Sequence, residues 1–166
     1  MRNHQETPVP DRLTIIDKPS KMITSGYCLI TRDGKILLVR RRLDAKHFPG
    51  KWGLPGGKIN PEEDIDSGTE REVFEETRLE IRITKHQPLG QPHRVASRKH
   101  RGKMITLFLC QAESLKGKPQ LSNEHIEFRW LTPVEALKLD LEPQIDFAIN
   151  EFISGGKNGK IANEAL

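Results

Sequence analysis

Apolar residues along this chain fall in short runs, mostly under ten residues, divided by glycine, proline and charged breaks. Met22 to Thr31 reads as a strand. Asp33-Gly34 follows it, a strong hairpin signal, and Lys35 to Arg40 is the partner strand. Residues 41–53 then form a loop carrying Gly50 and Gly53. Asn60-Pro61-Glu62-Glu63 opens a helix over Glu62 to Glu76, with Asn60 as its N-cap and Pro61 in the first turn. Ile65, Val73 and Phe74 supply its apolar side, and it stops near Thr77.

Ile81 to His86 alternates as a strand, and Met104 to Gln111 is a longer apolar one. Residues 87–103 between them form a loop of the length that often carries function. Glu127 to Leu131 is a further short strand. Thr132, Pro133 and Glu135 make a capping box that starts another helix, and a last helix spans about Pro143 to Ile153. Strands and helices mix without regular alternation. That order predicts an α/β (α+β) class, a mixed sheet flanked by helices. Residues 1–20 read as an extension with Leu13 to Ile16 as a candidate edge strand. Residues 21–153 read as one domain, and 154–166, with three glycines, as a frayed tail.

Composition adds bounds. The 166 residues suffice for one domain with a core. No apolar run reaches the roughly 18 residues of a membrane span. The start, Met1 to Glu6, lacks the apolar centre of a secretory leader. Cys28 and Cys110 each lie in an apolar run and read as buried thiols in a reducing, cytoplasmic setting. The net charge of +4 suits an anionic ligand.

The chemistry concentrates in Glu63, Glu72, Glu75 and Glu76. Residues three and four apart share a helix face, so Glu72, Glu75 and Glu76 converge and repel unless a cation joins them. Hard divalent ions prefer carboxylate oxygen and are shared with phosphates. Each acid also has a plain reading: Glu63 as part of a helix start, Glu75 as a surface partner of Arg71. The combination with Gly56-Gly57 ahead of the helix favours a phosphate site, because glycine lets backbone approach an ion closely.

The residues Gly57, Glu63, Arg71-Glu72-Val73-Phe74-Glu75-Glu76-Thr77-Arg78-Leu79 resemble the signature of the Nudix hydrolases: Gly, five residues, Glu, seven residues, Arg-Glu, an aliphatic, any residue, Glu-Glu, any residue, Gly, an aliphatic. The fixed positions match except one, where Arg78 stands in place of glycine. The resemblance extends from about Ser25 to Phe152 and implies an α/β/α sandwich with a mixed sheet. It implies hydrolysis of a diphosphate bond in a nucleoside diphosphate linked to another moiety. Glu72, Glu75 and Glu76 would bind Mg²⁺ or Mn²⁺, with the Gly56 carbonyl as a further ligand. Glu63 would assist the helix start, and Arg71 would hold Glu63 or Glu75. In this family the general base lies in the signature or on a downstream loop. Glu124 is the preferred downstream candidate, ahead of Glu127.

Two basic clusters fit phosphates. Arg40 and Arg42 would share a face if their strand continued. Arg94, Arg98, Lys99, His100, Arg101 and Lys103 crowd the long loop. That loop reads as a substrate lid, an RNA contact or a solvated segment, and it lacks the aromatics of a base-stacking surface. Trp52 and Phe48 are candidates to stack a nucleobase or to pack beside the glycine turn, and Gly57 is a candidate phosphate contact. The resulting reading is a metal-dependent pyrophosphohydrolase of a nucleoside triphosphate, ADP-ribose or nucleotide-sugar. The alternatives are an RNA-binding or RNA-processing relative and a catalytically silent nucleotide-binding module. Monomer and homodimer both fit the sequence.

Overall fold

A computed structural model describes residues 22–90, 93–94, 104–114 and 117–163. The strand candidate at Leu13 to Ile16 and the basic residues from Arg98 to Lys103 lie outside these. The elements are β1 (Met22–Arg32), β2 (Lys35–Arg41), β3 (Trp52–Gly53), β4 (Gly56–Lys58), α1 (Ile65–Thr77), β5 (Ile83–Pro88), β6 (His93–Arg94), β7 (Met104–Glu113), β8 (His125–Leu131), α2 (Pro133–Ala136) and α3 (Ile145–Asn163). The mixed sheet runs β3-β2-β1-β7-β5, with β4 also on β1, β6 on β7 and β8 on β2. The β1/β7 pairing is parallel over its whole length, from Met22 opposite Met104 to Thr31 opposite Glu113. The other ladders are antiparallel.

Alternation along the central strands builds two cores, because successive side chains point to opposite faces. Leu29, Leu38 and Leu109 face one side, where Ile145, Ala148 and Ile149 of α3 cover them. Cys28, Ile30, Leu37 and Cys110 face the other, where Val73 and Ile65 of α1 cover them. Each aliphatic side chain so buried contributes about 1.5–3 kcal/mol. The result is the expected three-layer α/β/α sandwich. Both cysteines are free and buried. Among the described residues no helix is long and apolar enough to cross a membrane.

The two largest departures from the expected boundaries are at α1 and α3. Helix α1 starts at Ile65, not Glu62, and its N-cap is Asp64, not Asn60. The Asp64 carboxylate accepts the Ser67 N–H at 2.8 Å. Asn60 instead gives its own backbone N–H to Glu63 Oε2 at 3.0 Å, which keeps residues 61–63 in a turn. Helix α3 continues past Ile153 to Asn163, into the segment expected to fray. Phe152 and Ile153 pack on the core, and a helix anchored there extends at one backbone bond per residue. The segments read as loops also contain short strands: Trp52–Gly53 pairs with β2, and His93–Arg94 pairs with β7.

Candidate active site

The acid cluster is placed by α1 and by the glycine turn that β1 holds. Thr69 and Thr77 turn inward on α1, their hydroxyls satisfied by the Ile65 and Val73 carbonyls at 2.7 Å. That register sends Glu72 and Glu76 toward β4. Gly56 pairs with Tyr27 and Gly57 with Gly26. A Cβ on Gly56, whose φ is 141°, would run into the Gly26 carbonyl, and one on Gly57 would lie 2.5 Å from Glu72 Oε2. Gly56 is therefore required for the turn to close on β1, whereas a side chain at Gly57 would displace the Glu72 carboxylate.

Glu76 is 7% exposed and accepts the Gly56 N–H at 2.9 Å. Burial pushes its carboxyl up to about 8, opposed by that hydrogen bond and reinforced by the charge of Glu124. Burial also raises Glu72, against the pull of Arg71, and the charges of Glu75 and Glu124 add to the rise. Arg71 binds more carboxylates than expected. Its Nε and Nη2 grip the two oxygens of Glu63 at 2.6 and 2.9 Å. Its Nη1 donates to Glu72 at 2.8 Å and to Glu75 at 3.3 Å. The Arg71 fork holds Glu63 down at about 2, helped by the Asn60 N–H.

Glu124 reaches this cluster through backbone lacing. The N–H of Gln120 donates to the Thr77 carbonyl at 2.8 Å, and that of Ser122 to the Glu76 carbonyl at 2.9 Å. These bonds draw the segment before β8 onto the end of α1. Glu124 also lines a cleft of about 430 Å³ with Arg41, Arg42, Asp44, Lys46 and His47.

The arginine run behaves differently from expectation. β2 ends at Arg41, with a register shift against β8 between Arg40 and Arg41. Arg40 is engaged with the Gly50 carbonyl at 2.9 Å and with Glu127 at 3.6 Å, and does not line the cleft. Arg42 lines it but is clasped by Asp44 at 2.7 and 2.9 Å. Arg41, the residue passed over, points to the acids: its Nε donates to buried Glu142 at 2.6 Å, and its charge acts on Glu76. Trp52 is 5% exposed, packed in the core with its ring under Arg129 and Arg40, so it offers no open stacking face. Phe48, by contrast, is 42% exposed.

Sequence reasoning also missed Glu142, Tyr27 and His125. Burial and Glu142 push Tyr27 up to about 12, and burial raises Glu142 itself. His125 sits opposite Arg41, 7% exposed, with its Nδ1 unpartnered. Alternation carried a partial signal, since a regular strand would turn Arg41 away from the face of Arg40.

A set of anionic oxygen donors this close in charge fits a hard divalent cation. Among the described residues no three such groups stand as a closed ligand cluster, and Arg71 engages both Glu72 and Glu75. The donors match the ion in kind and in their mutual repulsion.

A model of the NUDIX domain matches residues 21–152. The chain belongs to the Nudix family. It is a hydrolase of diphosphate bonds in nucleotide derivatives, and Nudix hydrolases generally need a divalent metal. A CTP pyrophosphohydrolase of Escherichia coli K12 is 32% identical over 123 residues, spanning 74% of this chain and 85% of the relative. A nucleoside triphosphatase, NudI, of Escherichia coli is 29% identical over 119 residues, spanning 68% and 84%. The crystal structure of a MutT protein from Methanosarcina mazei Go1 superposes with a TM-score of 0.70 at 30% identity, covering 83% of this Nudix chain and 97% of that one.

Proposed function

We propose that this Nudix hydrolase is a Mg²⁺-dependent pyrophosphohydrolase of nucleoside triphosphates that releases a nucleoside monophosphate and pyrophosphate. The observation that carries this reading is the junction at Glu124: half-buried Glu72 and buried Glu76 on one side, and a cleft carrying Arg41, Arg42 and Lys46 on the other. The triphosphate-directed names of the CTP pyrophosphohydrolase and of NudI support it.

Glu72, Glu75, Glu76 and the Gly56 carbonyl would hold Mg²⁺, or Mn²⁺ in its place. Such an ion would supply Lewis acidity and a more acidic water. Glu124 takes the proton of the attacking water. Oxygen bonds to phosphorus, the bridging P–O bond breaks, and pyrophosphate departs toward Arg41, Arg42 and Lys46. Glu63 serves through Arg71, which sets the positions of Glu72 and Glu75. Gly57 leaves room for Glu72. The two buried free cysteines support a cytoplasmic setting.

The test is a panel of nucleoside triphosphates, nucleotide-sugars, ADP-ribose and dinucleoside polyphosphates with Mg²⁺ or Mn²⁺. Pyrophosphate and monophosphate from the triphosphates, at the highest kcat/KM of the panel, is the expected result. A preference for ADP-ribose or a sugar nucleotide would overturn the substrate assignment.

A further inference from the structure

A second cavity, of about 160 Å³, is walled by Tyr27, Phe48, Leu107, Glu142 and Gln144, with Ile105 and Ile145 beside them. Four non-glycine residues among those described have positive φ, and two of them stand in this wall: Phe48 at 51° and Gln144 at 71°. Such backbone persists only where its surroundings hold it, and it concentrates at ligand clamps. Phe48 leaves a large aromatic side chain exposed. Gln144 Oε1 is buried without a hydrogen-bond partner, and a buried acceptor of that kind calls for a donor.

Glu142 ties this cavity to the phosphate cleft. Its Oε1 accepts from Arg41 at 2.6 Å, and Arg41 lines the cleft. One ligand can therefore lay its phosphates beside Arg41 and place its other end against Phe48 and Gln144. Apolar walls with an open aromatic ring and few polar groups suit a flat heterocycle.

From this we infer that the cavity is the nucleobase subsite, and that Gln144 with Glu142 selects a base bearing an exocyclic amino group beside a ring nitrogen, as in cytosine and adenine. This rests on the nucleotide reading above. A glutamine amide matches that edge with Oε1 on the amino group and Nε2 on the ring nitrogen, and a carboxylate likewise accepts from an amino group. Glu142, bonded to Arg41, offers only acceptors, and a keto oxygen facing it would be repelled. Phe48 stacks on whichever ring enters and does not discriminate.

The test is calorimetric binding of non-hydrolysable α,β-methylene analogues of CTP, UTP, ATP and ITP to the full chain with Mg²⁺. Within each pair, CTP with UTP and ATP with ITP, the contrast is amino against keto. The amino-bearing member binds about tenfold tighter, as for one buried hydrogen bond gained and one unmet acceptor avoided. Gln144→Gly, which the left-handed backbone accepts without strain, shrinks the gap to about twofold or less. Phe48→Gly weakens all four by a similar factor and leaves the ratios. Equal affinities within both pairs, or a gap that survives Gln144→Gly, would overturn the inference. Because the analogues are not cleaved, the two readings fail separately. Discrimination without pyrophosphate release from true triphosphates removes the proposed activity alone, and release without discrimination removes the base assignment alone.

Discussion

The Gly56 N–H donates to the Glu76 carboxylate at 2.9 Å, tying the glycine turn to a helix residue twenty positions later. Among the described residues this is the one hydrogen bond at a carboxylate that burial has otherwise pushed up to about 8. A buried acid held this way is stabilised by a cation and costs stability without one. Glu76→Gln is expected to cut the Mg²⁺-dependent rate by more than about a hundredfold, since the proposed metal ligand is lost. Its metal-free melting temperature should match or exceed that of the parent, while the rise in melting temperature on adding Mg²⁺ disappears. Thermal melts with and without the ion check both. A normal rate would sink the ligand assignment.

Glu124→Gln removes the proposed proton acceptor without touching α1. kcat is expected to fall about 10²- to 10⁴-fold with KM little changed. Steady-state kinetics of the parent and the variant on the same triphosphate decide it. An unaltered kcat would move the base elsewhere.

Arg71 grips Glu63 with two nitrogens, and lysine cannot reproduce that fork. Arg71→Lys should release Glu72 and Glu75 and lower kcat about tenfold, through position and not through lost chemistry. Mg²⁺ titration of the variant should show weaker binding. Affinity equal to the parent's would mean that Arg71 does not order the acids.

Arg78 occupies the signature's glycine position with φ 58° and ψ 16°, its N–H capping Phe74 at 2.8 Å. It bears the left-handed strain itself and covers the Phe74 ring at 5.3 Å. Arg78→Gly is expected to change stability by less than about 1 kcal/mol, strain relief being offset by the lost ring contact. Arg78→Val should destabilise by about 1 kcal/mol or more, since a branched side chain resists this backbone. Urea unfolding of the three proteins checks the order.

Burial, with the Arg41 charge, pushes His125 down to about 4. The unfolded imidazole takes its proton near pH 6.5, so between these values the unfolded state binds the extra proton. The stability this group contributes is whole above about pH 6.5 and is lost as pH falls toward 4. Glu76 and Glu142 are shifted up and act oppositely, so the measure is the difference between parent and His125→Gln. That difference should shift against the parent by about 2 kcal/mol from pH 7.5 to 4.5. A constant difference would show that His125 charges freely in the folded protein.

Much of the site was legible because its parts are local. The spacing of Glu72, Glu75 and Glu76 is set by helical periodicity, and the hairpin at Asp33-Gly34 and the capping box at Thr132 are complete within a few residues. The start of α1 was misplaced because Asn60 and Asp64 are both good caps. The choice fell to Arg71, which holds Glu63 from eight residues away.

The sequence alone determined the family, the acid cluster and the layered mixed sheet, because helix and strand periods and a dense motif are properties of neighbours along the chain. The tertiary structure decided which arginine serves. Arg41 meets Glu142 across 101 residues, and no local pattern encodes that distance. It likewise withdrew Trp52 into the core and set Phe48 and Gln144 in one wall, since burial and cavities arise only when distant segments pack.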